Sequence, residues 1–117
     1  MEKEQNMLYR KFQTTGQERI KLACALEGFF SEEEDQKEQK ADYREYLKRR
    51  IRPAMEKLIK EEDTAGMELL EAQGWFGEKE LELFIKIARQ ERSLESLVWL
   101  MKLKDSKYGY TEKKFEF

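Results

Sequence analysis

Apolar residues in this 117-residue chain recur mostly at spacings of three and four, the period that lines one face of an α-helix. In "QERIKLACALEGFF", Leu22, Ala25, Leu26 and Phe29 form such a stripe, with Gln17, Glu18, Lys21 and Glu27 between them. Ile20, Ala23, Cys24 and Phe30 widen it, which predicts a helix at the centre of the core. A second stripe runs through Tyr43, Leu47, Ile51 and Ala54. Pro53 lacks an amide donor, so it predicts a kink or a new helix start. Met55, Leu58 and Ile59 open the stripe that follows. "TAGMELLEAQG" predicts a short helix with Thr64 as its cap, Met67 and Leu70 facing inward, Leu69 joining them in part, and Gly74 as a left-handed stop. Leu81, Phe84, Ile85 and Ala88 then sit at i, i+3, i+4 and i+7. Ser93 is placed to cap a last helix, whose buried stripe is expected to be Leu94, Leu97, Val98 and Met101, widened by Trp99, Leu100 and Leu103.

Three stretches are less regular. The opening, to Gly16, carries Met7, Leu8 and Phe12 on one short face, and its first residues are expected to be loose. "SEEEDQKEQKAD" is the most polar stretch. Ser31 and Glu34 fit a capping box there, and the segment reads either as the solvated start of a long helix or as a linker. The tail "GYTEKKFEF" alternates weakly. The organisation expected is a partly ordered segment at 1–16, one helical domain at 17–108, and a tail at 109–117. A tail ending in Phe115 and Phe117 could dock across a groove of its own chain or of a neighbour.

Composition agrees with helix. One proline and six glycines leave few breakers, and charged residues make up 41% of the chain against 39% hydrophobic. A net charge of −2 argues against nucleic-acid or membrane binding driven by overall charge, though not against a local basic patch. The lone Cys24 has no partner for an internal disulfide and reads as a small buried residue. With no signal-like opening and no long apolar run, a cytoplasmic protein that avoids membranes is expected.

"LIKEEDTAGMELL" at 58–70 and "ARQERSLESLVWL" at 88–100 superpose at an offset of 30 residues. Leu58 falls on Ala88, Met67 on Leu97, Leu69 on Trp99 and Leu70 on Leu100, and the polar turns "KEEDT" and "RQERS" coincide. Each half reads as helix, tight turn, helix. One such pair cannot bury its apolar face alone, so stacking is expected. "IARQERSLESLVWLMKLK" resembles a degenerate ankyrin-type hairpin, with Ala88 as the small residue of the first helix and Leu100 and Met101 as the paired apolar positions of the second. It departs from that pattern where no "TPLH"-like opening occurs and where Glu91 or Arg92 stands in place of the turn glycine. The resemblance covers about residues 55–108. It implies an all-α fold of antiparallel helical hairpins stacked in an ankyrin-like or short helical-repeat array. It also implies a binding scaffold that works through its turn tips, here Glu62, Asp63, Trp75, Phe76, Arg89 and Arg92, with Glu61 and Glu91 beside them.

Candidate chemistry is thin. The chain has no histidine and one cysteine, which removes the usual general base, the common metal ligands and the Ser-His and Cys-His nucleophile arrangements. No Gly-rich phosphate loop occurs. Carboxylate pairs such as Glu34 with Glu38 and Glu78 with Glu82 lie among lysines, as on a solvated surface. We therefore expect no enzymatic activity, no cofactor and no metal. The expected function is protein–protein interaction, free-standing or as an accessory or inhibitory subunit, with another protein or a second copy as partner. The alternative is a nucleic-acid-associated protein that uses Lys48, Arg49, Arg50 and Arg52, with Tyr43 and Tyr46 nearby. A helix-turn-helix at 79–104 is disfavoured because its second helix is too apolar to lie in a groove.

Overall fold

A computed structural model describes residues 2–31 and 37–109, with the side chains of 2–6 and 37 left out. The Ser31–Glu34 capping box and the Glu34–Glu38 pairing both turn on Glu34, and docking of the tail turns on residues 110–117. These lie outside the described residues. The rest is all-α, with seven helices among the described residues: α1 (Glu2–Thr14), α2 (Glu18–Phe30), α3 (Lys37–Arg49), α4 (Ile51–Lys60), α5 (Thr64–Glu71), α6 (Glu78–Glu91) and α7 (Leu94–Tyr108). They fall into two compact units, Met1–Ala54 and Met55–Phe117, the division lying within α4.

In the first unit α2 packs against both α1 and α3. The core takes Leu22, Cys24, Ala25 and Leu26 from α2, Phe12 from α1, and Tyr43, Tyr46 and Leu47 from α3. Phe12 meets the rings of Tyr43 and Tyr46 edge-on, with centroids 5.0 and 5.4 Å away. Such aromatic pairs add about 0.5–1.5 kcal/mol each beyond the area they bury. Lys21 lies 4.5 Å over the Phe12 ring and donates to the Phe12 carbonyl at 3.0 Å, tying the end of α1 to α2. Gly28 sits inside the last turn of α2, where glycine is a poorer helix former than alanine. Its reason is the Tyr43 ring, which lies so close that a Cβ on Gly28 would come within 2.1 Å of it.

α3 ends at Arg49 and α4 begins at Ile51. Pro53 is the cause, because its ring would collide with the Arg49 carbonyl four residues earlier. Pro53 therefore marks a new helix start and sits in its first turn.

The turns between α4 and α5 and between α6 and α7 share one pattern of backbone hydrogen bonds. At the end of α4, the Asp63 amide donates to Leu58 O (2.9 Å) and the Glu62 amide to Ile59 O (3.0 Å). At the end of α6, the Ser93 amide donates to Ala88 O (2.9 Å) and the Arg92 amide to Arg89 O (3.2 Å). This is the paired hydrogen bonding of a Schellman stop, which needs a left-handed residue. Glu62 and Arg92 fill that role, each at φ 58°. The 30-residue offset in the sequence thus coincides with a repeated turn geometry.

Asp63, not Thr64, caps α5: its carboxylate accepts from the Gly66 amide at 2.9 Å. Adjacent Asp and Thr are both cap formers, and the charged one takes the position next to the stop. Ser93 holds the cap position of α7, but its side chain makes no capping hydrogen bond. Gly74 has the expected positive φ. The buried set on α6 is Leu81, Phe84, Ile85 and Ala88, as the spacing predicts.

α7 departs from its expected face. Ser93, Ser96 and Leu100 are buried, while Leu94 is 65% and Val98 52% exposed. Ser96 causes the rotation. Its amide donates to Glu62 Oε1 at 2.8 Å and its hydroxyl to Ile59 O at 2.8 Å. These two bonds satisfy an orphan amide of the first turn of α7 and fix its polar side chain inward. The apolar pair at 94 and 98 is thereby turned out.

Candidate functional site

The exposed apolar positions of α7 line an open groove of about 520 Å³, bounded by Leu94, Glu95, Val98, Trp99, Lys102 and, from α5, Thr64. Leu94 and Val98 are one helical turn apart, so their side chains make a continuous strip. Glu95 and Lys102 are both exposed and stand seven residues apart beside that strip, with the half-buried Trp99 between them. The outer face of α7 thus carries an apolar strip with Glu95 at its start, Lys102 past its end and the exposed Asp105 beyond.

α7 is held rigidly behind this face. It packs on α6 and on α5. Lys104 pairs with Glu82 at 2.6 Å and Lys107 with Glu71 at 2.6 Å. Glu82 lies near the start of α6 and Lys104 near the end of α7, so the two helices run antiparallel along most of their length. That is a hairpin, and it differs from the steep crossing of a helix-turn-helix reader.

The side chains expected at turn tips have varied surroundings. Glu62 accepts the Ser96 amide and Asp63 caps α5, so both carboxylates hold the fold's own backbone. Trp75 and Phe76 are half-buried, and Phe76 meets Phe84 edge-on at 5.1 Å between centroids. Arg89 and Arg92 are exposed around the α6–α7 turn.

The basic cluster Lys48, Arg49, Arg50 and Arg52 is exposed in the first unit, and Arg89 and Arg92 belong to the second. Arg50 donates to Glu18 at 2.9 Å and lies 5.4 Å over the Tyr46 ring. Tyr46 is buried, and its hydroxyl donates to the same Glu18 carboxylate. These two donors, Tyr46 first, hold the Glu18 carboxyl below its usual range. Tyr43 is buried as well, and burial pushes its hydroxyl up to about 12. Neither ring is therefore open to stack on a base.

Among the described residues no cluster of three or more His, Cys, Asp or Glu could hold a metal ion. Cys24 is buried, and burial raises its thiol above the ordinary range, away from the reactive thiolate. Among the described residues no helix is long and apolar enough to cross a membrane.

The groove residues Leu94, Glu95, Val98 and Lys102 escape sequence reasoning because an i, i+3, i+4 apolar stripe reads as core. The signal that could have found them is Ser96, a small polar residue flanked by apolar ones and able to hydrogen-bond inward. The molecule belongs to the broad class of all-α proteins built of packed helices. Comparison with protein-family models, curated proteins and solved structures found no match to this chain.

Proposed function

We propose that this protein is a non-catalytic protein–protein interaction module whose docking surface is the outer face of α7. The observation that carries this reading is the exposure of Leu94 and Val98 on a helix whose inner face is already fully packed. Fully burying a Leu or Val side chain is worth about 1.5–3 kcal/mol, and the fold leaves most of that unrealised at both positions. A partner helix or strand laid into the groove would realise it, with Trp99 as the aromatic anchor and Glu95 and Lys102 as the polar rim. The paired Schellman turns support a degenerate ankyrin-like repeat as the scaffold, with the packed α6–α7 hairpin, backed by α5, presenting the surface. The contacts of Glu62 and Asp63 favour the helix face over the turn tips as the place of binding.

A tagged pull-down from native lysate, with and without nuclease, tests the function. A stoichiometric protein that survives nuclease and is lost with Val98→Asp is expected. Recovery that depends on nucleic acid, or that ignores Val98→Asp, would remove the proposal. The nucleic-acid alternative would then be pursued through Lys48 and Arg49.

A further inference from the structure

We propose that the outer face of α7 receives the α7 helix of a second copy of this chain, antiparallel, with Val98 and Met101 of each helix interleaved at the edge of the groove and Glu95 of each paired with Lys102 of the other. This rests on the reading of that face as a docking surface and names its occupant.

The argument begins with spacing. Leu94, Val98 and Met101 are separated by four and three residues, the d, a and d positions of a heptad seam, and the next a position is the exposed Asp105, where the apolar seam ends. Leu94 and Val98 are exposed and Met101 is half-buried, so the seam is open to a partner. On the same numbering Glu95 and Lys102 are successive e positions, immediately beside the seam.

In an antiparallel pair, e positions face e positions. Setting Val98 of one copy opposite the partner's Met101 brings Glu95 within two residues, about 3 Å along the axis, of the partner's Lys102. The twofold axis then creates the reciprocal pair from the same two residues. The face is therefore self-complementary, as an isologous interface must be. In a parallel pairing e positions face g positions, which sets Lys102 beside the partner's Leu97 and leaves Glu95 with no charge opposite it within α7. Only the antiparallel direction brings the two charges together.

Size sets the strength. The apolar seam from Leu94 to Met101, seven residues on, rises about 10 Å at 1.5 Å per residue. A seam of that length falls at or below the small end of specific interfaces, so the dimer should dissociate at about micromolar concentration or weaker.

Sedimentation velocity or light scattering on purified protein across a concentration series tests this directly. The wild type should pass from monomer to dimer, and Val98→Asp should remain monomeric. Glu95→Lys alone would face two lysines with two lysines, and Lys102→Glu alone two glutamates with two glutamates. Each single variant should lose about tenfold or more in self-association, because two attractive contacts become repulsive. Mixing the two variants should restore dimerisation as a heterodimer, and the double variant should restore it as a homodimer. All these positions are on the surface, and an unchanged far-UV spectrum verifies that each variant folds.

A wild type that stays monomeric throughout overturns the inference, as does a dimer indifferent to the charge swaps. A monomer that dimerises only after residues 110–117 are removed would give the groove to the chain's own tail and overturn it too. A monomer that still holds a different protein, with loss on Val98→Asp, overturns the second copy as occupant while leaving the docking face standing. Loss of both self-association and any Val98-dependent partner removes the docking face as well.

Discussion

Replacing Gly28 by alanine should destabilise the first unit, although alanine is the better helix former. A Cβ at this position would lie 2.1 Å from Tyr43 Cε2, 2.4 Å from Cζ and 2.7 Å from Cδ2. Non-bonded carbons settle at about 3.5–4.0 Å, so the ring would have to retreat by about 1.5 Å. It has nowhere to go, being 1% exposed and set edge-on against Phe12 at 5.0 Å and Tyr9 at 5.9 Å. Two effects oppose each other. Alanine in a helix gains about 0.5–1 kcal/mol over glycine, while overpacking a filled core costs about 1–3 kcal/mol. Overlap with three ring atoms puts the cost at the upper end, for a net loss of about 1–2 kcal/mol. Tyr43→Val removes all three clashing atoms. On that background only the helical gain survives, and Gly28→Ala should stabilise by about 0.5–1 kcal/mol. The double-mutant cycle then shows a coupling of about 2–3 kcal/mol. Urea unfolding followed by far-UV circular dichroism is the assay, because both tryptophans, Trp75 and Trp99, lie in the second unit and do not report on the first. A neutral or stabilising Gly28→Ala in the native background, or no reversal of sign with Tyr43→Val, would refute the packing argument.

The two left-handed residues should respond oppositely to glycine. Arg92→Gly relieves a backbone conformation that disfavours a Cβ and should leave stability unchanged or raise it by up to about 1 kcal/mol; Glu62→Gly relieves the same strain but strips the acceptor from the Ser96 amide, and should lower it by about 1 kcal/mol in urea unfolding followed by tryptophan fluorescence. Among the described residues the buried Tyr43 hydroxyl has no hydrogen-bond partner, so Tyr43→Phe should be neutral or stabilising, and a loss above about 1 kcal/mol would show that the hydroxyl has a partner. Burial holds both Tyr43 and Tyr46 up at about 12, against an ordinary value of 10.0, with the Glu18 carboxylate contributing at Tyr46. The unfolded chain therefore loses these protons first as pH rises, so their contribution is intact below pH 10 and is lost towards pH 12. Tyrosinate absorbance should appear together with the loss of helical signal, and titration of both rings in a still-folded chain at pH 10 would contradict the burial.

How much was legible depended on whether a helix had one apolar face or several. α6 sets Leu81, Phe84, Ile85 and Ala88 against charged neighbours, and all four are buried. Met55, Leu58 and Ile59 of α4 read as easily. α7 has apolar residues around most of its circumference, and periodicity alone does not choose which of two apolar faces turns inward. The choice is made by hydrogen bonds from Ser96 to residues 34 and 37 positions away, which no local pattern encodes. The same blindness hid the candidate groove, since Leu94 and Val98 were counted as core. Gly28 is another long-range case: its partner Tyr43 lies on the next helix, so the sequence marks the glycine as a helical weakness and gives no hint of the ring above it.

The two halves of the second unit provide an internal control for the apolar face. They share their turn geometry at a 30-residue offset, which sets Thr64 against Leu94 and Glu68 against Val98. α5 therefore carries polar side chains at the two positions where α7 carries its most exposed aliphatic ones, and α5 still packs Met67 and Leu70 completely. An apolar residue at these positions is not a requirement of the helix–turn–helix geometry, nor of burying the inner face. Helix propensity does not ask for Val98 either, since a β-branched valine is a poorer helix former than a glutamate would be. What distinguishes Leu94 and Val98 is adjacent solvent-facing apolar surface where the matching half of the unit is polar, and that is the surface the proposed docking would cover.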